Sequence, residues 1–238
     1  MSAFPETLEV FWKLQALDVV IVASQREIAK QRGELQRAQA RTAVAAADLK
    51  RSQDGLDKLR AASREDKAEI DRLDARIRQL EEQSGTSTSE AQIKNVAAAL
   101  VKERAHLDER ETESLERLEA MQAATASLDV VRGSLKKCEG EQAQVAQQAG
   151  GIVAAQEAVV AQRMQARAQI TPALEQGVLE QYEVANRQNP GEGICLVDSS
   201  GCMGCSGELT QQQLSEVRAR NQIVRCPNCH RILDWKAA

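Results

Sequence analysis

The apolar positions of the first 170 residues fall on a seven-residue repeat. From Leu14 one position reads Leu14, Ile21, Ile28, Leu35, Thr42, Leu49, Leu56, Ser63, Ile70 and Ile77, and all but Thr42 and Ser63 are aliphatic. Three residues later in each heptad come Leu17, Ser24, Gln31, Ala38, Ala45, Ser52, Leu59, Asp66, Leu73 and Leu80, a smaller and more mixed companion. This is the pattern of a coiled-coil helix. Run from Glu6 to Glu82, it would be about 115 Å long at 1.5 Å per residue.

The repeat stops at Ser84-Gly85-Thr86-Ser87-Thr88-Ser89, residues that favour turns and caps over helix interiors. A second helix follows, capped by Ser87 or Ser89 with Glu90 or Gln92 completing a capping box. Its seam carries Ile93, Leu100, Leu107, Ser114, Met121, Leu128 and Leu135 at one position. The other position carries Val96, Glu103, Arg110, Arg117, Ala124, Val131, Cys138, Val145, Ile152, Val159 and Ala166. Pairing residues whose numbers add to 173 sets Leu80 beside Ile93, Leu35 beside Cys138, Ile28 beside Val145 and Leu14 beside Val159 without a stutter, with a midpoint inside the turn. The expected fold is mainly α: a long antiparallel coiled-coil hairpin over residues 1–170. Its polar weak spot is expected where Ile70, Ser63 and Leu56 meet Glu103, Arg110 and Arg117. Gly150-Gly151 predicts a kink or break.

Near its start the first helix is apolar on more than one side, at Leu8, Val10, Phe11, Trp12, Leu14 and Leu17, and needs a cover beyond its hairpin partner. Residues 171–192 supply it. Thr171-Pro172 starts a short helix over 172–187 with Leu174, Val178, Leu179 and Tyr182 on one side, ending before Asn189-Pro190-Gly191. Residues 193–238 form the last module: a strand from Gly193 to Val197, a helix from a Thr210/Gln213 capping box to about Arg218, and a strand from Asn221 to Arg225.

Composition fits a helical rod. Of 238 residues only 2% are aromatic, and 28% are charged for a net charge of -4 without an acidic or basic block. No apolar run reaches the roughly 18 residues of a membrane span. The first ten residues carry two glutamates and no Lys or Arg, unlike a secretory signal, which points to a reducing cytoplasm.

The chemistry lies in the last module. Cys202-Met203-Gly204-Cys205 and Cys226-Pro227-Asn228-Cys229 are two CxxC pairs separated by twenty residues, the spacing of a zinc ribbon. Each pair turns two thiolates toward one point, and four of them satisfy tetrahedral Zn²⁺. About 35 residues bury too little to fold alone, so the metal is expected to supply most of the folding free energy. Two rivals exist: disulfides or a redox pair, disfavoured by the compartment, and haem attachment at Cys226-Pro227-Asn228-Cys229-His230, which ignores the other pair. His230 reads as a left-handed turn residue, Cys195 as a buried strand residue, Cys138 as a small seam hydrophobe and His106 as a helix-surface residue.

Leu14-Gln15 and Asp18, the hairpin, Cys-x-Gly-Cys at 202–205, Leu209 and Cys-Pro-x-Cys-x-Arg-Ile-Leu at 226–233 resemble the bacterial C4-type zinc-ribbon proteins with an N-terminal coiled-coil hairpin. The resemblance covers nearly the whole chain, and its specific part is the ribbon. It assigns zinc to Cys202, Cys205, Cys226 and Cys229. The family is described as nucleic-acid-binding, and some members are similar to adaptors for the alternative sigma factor of flagellar genes, for type III secretion or flagellar components, or for a flagellin messenger RNA. His230 departs from the usual Gly, and Asp234-Trp235 from a Tyr-containing ending.

Four protein ligands leave no open zinc position, and neither a nucleophile triad nor a phosphate loop is present, so no enzyme activity is expected. The leading expectation is a non-catalytic adaptor with a protein partner, a sigma factor or a secretion or flagellar component by resemblance. The alternative is nucleic-acid binding through Arg218, Arg220, Arg225, Arg231 and Lys236. These face Glu208, Glu216 and Asp234, and a zinc held by four thiolates is itself anionic, so the module is about neutral and phosphate neutralisation gives modest affinity. The bland reading of the arginines is a solvated helix end.

Overall fold

The structure, a computed structural model, describes residues 4–86, 88–199 and 201–235. Two long helices come first, α1 (Phe4–Thr86) and α2 (Glu90–Ile170). A 3-10 turn (Thr171–Ala173) leads to α3 (Gln176–Gln188). The last module holds β1 (Ile194–Asp198), β2 (Gly201–Cys202), α4 (Gln211–Ala219) and β3 (Ile232–Trp235). The chain divides into two compact units, Arg37–Gln144 and the remainder, Met1–Gln36 with Val145–Ala238.

Ala, Leu, Gln, Glu and Arg dominate α1, and pairs such as Arg60–Asp57 and Arg72–Glu69 brace its exposed side. Both expected seams of α1 are real: every one of the twenty positions named for it is buried or half-buried. Helix α1 continues through Ser84 and Gly85, and α2 begins at Glu90, so the turn is shorter than the expected 84–89. Ser87, a candidate cap, lies outside the described residues.

The register differs from the expected one. In the Arg37–Gln144 unit, the Thr42 hydroxyl donates to the Cys138 carbonyl, Arg41 pairs with Glu141, Arg117 with Asp66 and Arg104 with Glu81. These numbers add to between 180 and 185, not 173. Leu80 is 3% exposed while Ile93, its expected partner, is 44% exposed. The polar weak spot is also reassigned, because Arg117 reaches the buried Asp66 carboxylate across the seam while Arg110 pairs with Glu113 on its own helix. In the other unit Arg32 meets Glu157 and Arg167 meets Asp18, and Ile28 shares a groove with Val160 rather than meeting Val145.

Gly150-Gly151 does not break α2, which runs unbroken to Ile170. The buried side of α2 instead takes two successive four-residue steps, Val145 to Ala149 to Val153, a stutter that leaves Ile152 37% exposed.

At the start of α1 the expected cover is present. Leu8, Phe11 and Leu14 are buried with Tyr182 and Ala185 of α3 and with Ile194 and Ile232 of the sheet. The Phe11 and Tyr182 rings stack at 5.2 Å. Pro172 sits in the 3-10 turn rather than in the first turn of α3, which begins at Gln176. The Asp18 carboxylate, 4% exposed, lies under this cover and is fully engaged. It accepts from Arg167 Nε at 2.8 Å, the Tyr182 hydroxyl at 2.9 Å and Asn186 Nδ2 at 3.1 Å. Its charge is thereby compensated, and Arg167 also pairs with Glu183.

Candidate metal centre

The sheet has the order β2-β1-β3, with β1 antiparallel to β2 and parallel to β3. The expected strand over 221–225 is absent; that stretch is irregular apart from a bridge between Arg225 and Ile232. The strand that closes the module is β3, after the second cysteine pair instead of before it. Helix α4 has the expected cap: Thr210 Oγ1 accepts from Gln213 N, and Gln213 Oε1 accepts from Thr210 N. Its Leu214 and Val217 join Val197, Val224 and Leu233 in a small core around the cysteines.

Each cysteine pair sits on a knuckle of the same build. In the first, Ser206 N donates to the Cys202 carbonyl at 2.8 Å with Ser206 at φ 56°; in the second, His230 N donates to the Cys226 carbonyl at 3.0 Å with His230 at φ 62°. The reading of His230 as a left-handed turn residue holds. The turn before Cys202 requires Gly201, whose φ is 137° and where a Cβ would come within 2.4 Å of the Gly207 carbonyl oxygen.

The knuckles bring Cys202, Cys205, Cys226 and Cys229 together with all four sulfurs within 4.8 Å of one another. Cys202 to Cys229 is 3.8 Å and Cys205 to Cys226 is 3.7 Å. A tetrahedron with Zn–S bonds near 2.3 Å has edges of about 3.8 Å, so the donors match both the type and the size that zinc requires. Before any metal charge is counted, burial pushes the Cys202 thiol up to about 12. Burial also works against the Cys229 thiolate, but the Arg231 backbone N–H and guanidinium and the neighbouring sulfurs outweigh it and bring that thiol down to about 7.

Each of the four arginines of the sequence reading is engaged by another residue of the chain. The Arg218 guanidinium lies 4.2 Å from the centre of the Trp235 ring. Arg220 pairs with the buried Asp234. Arg225 donates to the Gln181 carbonyl of α3 at 2.7 Å. Arg231 donates to the carbonyls of Glu192 and Gly204 and pairs with the Glu192 carboxylate, which ties the second knuckle to the first and to the chain entering β1. Lys236 lies outside the described residues.

Several positions that fix the module carry no metal-binding signature. Trp12 Nε1 donates to Asp234 at 2.9 Å, Gln15 Oε1 accepts from Ile194 N at 2.8 Å, and Asn189 Nδ2 donates to the Cys229 carbonyl at 2.8 Å. The first two explain why Asp234 and Gln15 matter in a helix and a strand far apart in sequence. The detectable signal was an indole and two polar side chains, Trp12, Gln15 and Asp18, on the same turns as the apolar Leu8, Phe11, Leu14 and Leu17. Cys195 is buried on β1, as expected, with its sulfur 3.4 Å from that of Cys202.

Residues 202–233 match the family model of the C4-type zinc ribbon domain. The chain carries a C4-type zinc ribbon. No curated protein sequence matches the chain. Solved structures match over nearly its whole length. CT398 of Chlamydia trachomatis has a TM-score of 0.92 at 17% identity, covering 99% of this chain and 100% of its own. The HP0958 protein of Helicobacter pylori has 0.67 at 14%, covering 98% of each chain. A protein of Mycobacterium smegmatis has 0.70 at 17%, covering 98% and 99%. At these identities they share the fold of this chain. Among the described residues no helix is long and apolar enough to cross a membrane.

Proposed function

We propose that this chain is a non-catalytic adaptor of the cytoplasm that works through protein partners, with the zinc ribbon as a small head locked onto the start of α1. The observation that carries this reading is the use of the arginines. Arg218, Arg220, Arg225 and Arg231 each have a partner within the chain, so a phosphate backbone would have to compete with Trp235, Asp234, Gln181 and Glu192 for them. Four thiolates complete the coordination of zinc and leave it no vacant position for substrate or water, which argues for a structural metal. Six cysteines, none of them joined in a disulfide, also suit a reducing compartment. Exposed apolar side chains on the long helices, Val44, Val101, Leu115, Leu118 and Val130, favour protein contacts over nucleic acid. The resemblance seen in the sequence directs the first trials to an alternative sigma factor and to secretion or flagellar components.

The test is crosslinking of the zinc-loaded chain in cells with mass spectrometry of the products, alongside RNA and DNA binding at low salt. Protein crosslinks that vanish in Cys226→Ser, with helicity unchanged, place recognition on the ribbon. Retention of RNA or DNA with a steep salt dependence would overturn the adaptor reading in favour of nucleic-acid binding.

A further inference from the structure

We propose that Cys195 is a redox partner of the metal ligand Cys202: a hydroperoxide drives formation of a Cys195–Cys202 disulfide that withdraws Cys202 from the zinc site. The inference rests on the zinc ribbon described above and adds a modification site to it.

Five sulfurs, not four, gather at the centre. Cys195 Sγ is 3.4 Å from Cys202 Sγ, closer than either 3.7–3.8 Å contact between the knuckles. The strand geometry produces this approach. Val197 pairs with Cys202 across β1 and β2, and Cys195, two residues before Val197, shares its face. The cross-knuckle pairs are tetrahedron edges, held apart by a shared metal. Cys195 is outside that set, so nothing holds its sulfur away from Cys202. Closing to a disulfide needs about 1.4 Å of further approach. The β1–β2 ladder has two residue pairs, Val197 with Cys202 and Asp198 with Gly201, and Cys195 lies beyond its end.

The site is also reachable. Cys195 lines a groove of about 320 Å³ walled by Trp12, Val19, Leu196, Met203 and Arg231, with Met203 and Val19 exposed at its rim. Gly204 keeps the groove floor open, since a Cβ there would stand 2.9 Å from Arg231 Cδ and 3.2 Å from Cys195 Sγ. A peroxide fits such a groove.

The chemistry balances in two steps. The Cys195 thiol, which lines the groove, attacks the peroxide: an S–O bond forms, the O–O bond breaks, the alcohol or water leaves with the Cys195 proton, and sulfur is oxidised by two electrons to a sulfenic acid. The Cys202 thiolate then attacks Cys195 Sγ: the S–S bond forms, the S–O bond breaks, and the hydroxide released takes a proton from solvent to leave as water. Three thiolates remain for the metal.

The experiment treats the full zinc-loaded chain with hydrogen peroxide, follows released zinc with a chromogenic chelator and maps disulfides by mass spectrometry after alkylation. The first link formed should join Cys195 to Cys202, a thiol reductant should restore zinc binding, and Cys195→Ala and Cys195→Ser should release zinc about fivefold more slowly. A first disulfide confined to the four ligands, or release from both variants at the parental rate, overturns the proposal. If neither variant loads zinc, the mapping on the unaltered chain decides by itself. A chain found to hold no zinc before treatment would remove the metal reading and this inference together, whereas a loaded chain whose Cys195 stays unlinked removes this inference alone.

Discussion

Asp18 shows how one side chain can organise a junction between helices. Its two oxygens take three hydrogen bonds from Arg167, Tyr182 and Asn186, so α1, α2 and α3 all depend on one buried carboxylate. Removing it leaves a partly buried guanidinium with Glu183 as its remaining carboxylate and a buried phenol without its acceptor. Asp18→Ala should therefore cost about 3 kcal/mol, within the range for one member of a buried pair. Chemical denaturation followed by tryptophan fluorescence measures it, and a loss below 1 kcal/mol would show that Glu183 can take over Arg167. His230 makes a second case. At φ 62° it occupies backbone space that glycine enters without penalty and that a β-branched residue resists. His230→Gly should retain zinc at least as well as the parent in chelator competition, while His230→Val should lose about 1 to 2 kcal/mol of binding. Equal retention by all three would mean that the knuckle relaxes out of the left-handed region. These roles were only partly legible beforehand. The four ligands and the turn at His230 follow from spacing and position, because a CxxC knuckle is a local structure. Trp12, Gln15 and Asp18 act on residues more than a hundred positions away, and no local pattern encodes their partners.

At the scale of the element, the long helices separate what periodicity can and cannot decide. The heptad positions of α1 name its buried side throughout, since burial depends on the 3.5-residue repeat alone. Register depends on which heptad meets which, and here the repeat is a poor guide. A shift by seven residues opposes the same kinds of side chain, and the companion seam of Ala, Ser and Gln discriminates weakly. Specific polar contacts carry the observed pairing instead, among them Arg117 on Asp66 and Thr42 on the Cys138 carbonyl. Short strands were hidden for a different reason. β2 has two residues and β3 four, too few to show alternation, and all of β3 except Trp235 is buried. The apolar stretch before Cys226 looked like a strand because Ile223 and Val224 serve the core from irregular backbone. Gly150-Gly151 gives the element-scale prediction. The helix passes through both, and a Cβ at either would meet nothing within 4 Å. Gly150→Ala with Gly151→Ala should then stabilise α2 by about 1 to 2 kcal/mol through helix propensity and a less flexible unfolded chain. A raised melting temperature by circular dichroism is the expected result; a lowered one would mean that the glycines are needed for packing at the stutter.

For the molecule as a whole, the question is how far the loss of zinc is felt. A free ribbon of this size would simply unfold without metal. Here the ribbon is not free: Ile194 and Ile232 are buried with Leu8, Phe11, Leu14 and Tyr182, while Asp234 holds Trp12 and Asn189 holds the second knuckle. The metal and the first turns of α1 therefore stabilise each other, and chelation should reach beyond the cysteines. Hydrogen exchange after zinc removal should show near-complete loss of protection over residues 201–231, where the knuckles have little else to hold them. Residues 4–15 and 176–198 should exchange faster by roughly tenfold, reflecting about 1.4 kcal/mol of lost support. The Arg37–Gln144 unit takes no part in that core, and its protection should stay unchanged, with most of the far-ultraviolet helical signal. Loss confined to 201–231 would make the ribbon an independent module merely resting on the helices. Loss spreading through 37–144 would mean that the two units fold as one cooperative body, and the metal would then support the whole length of both long helices.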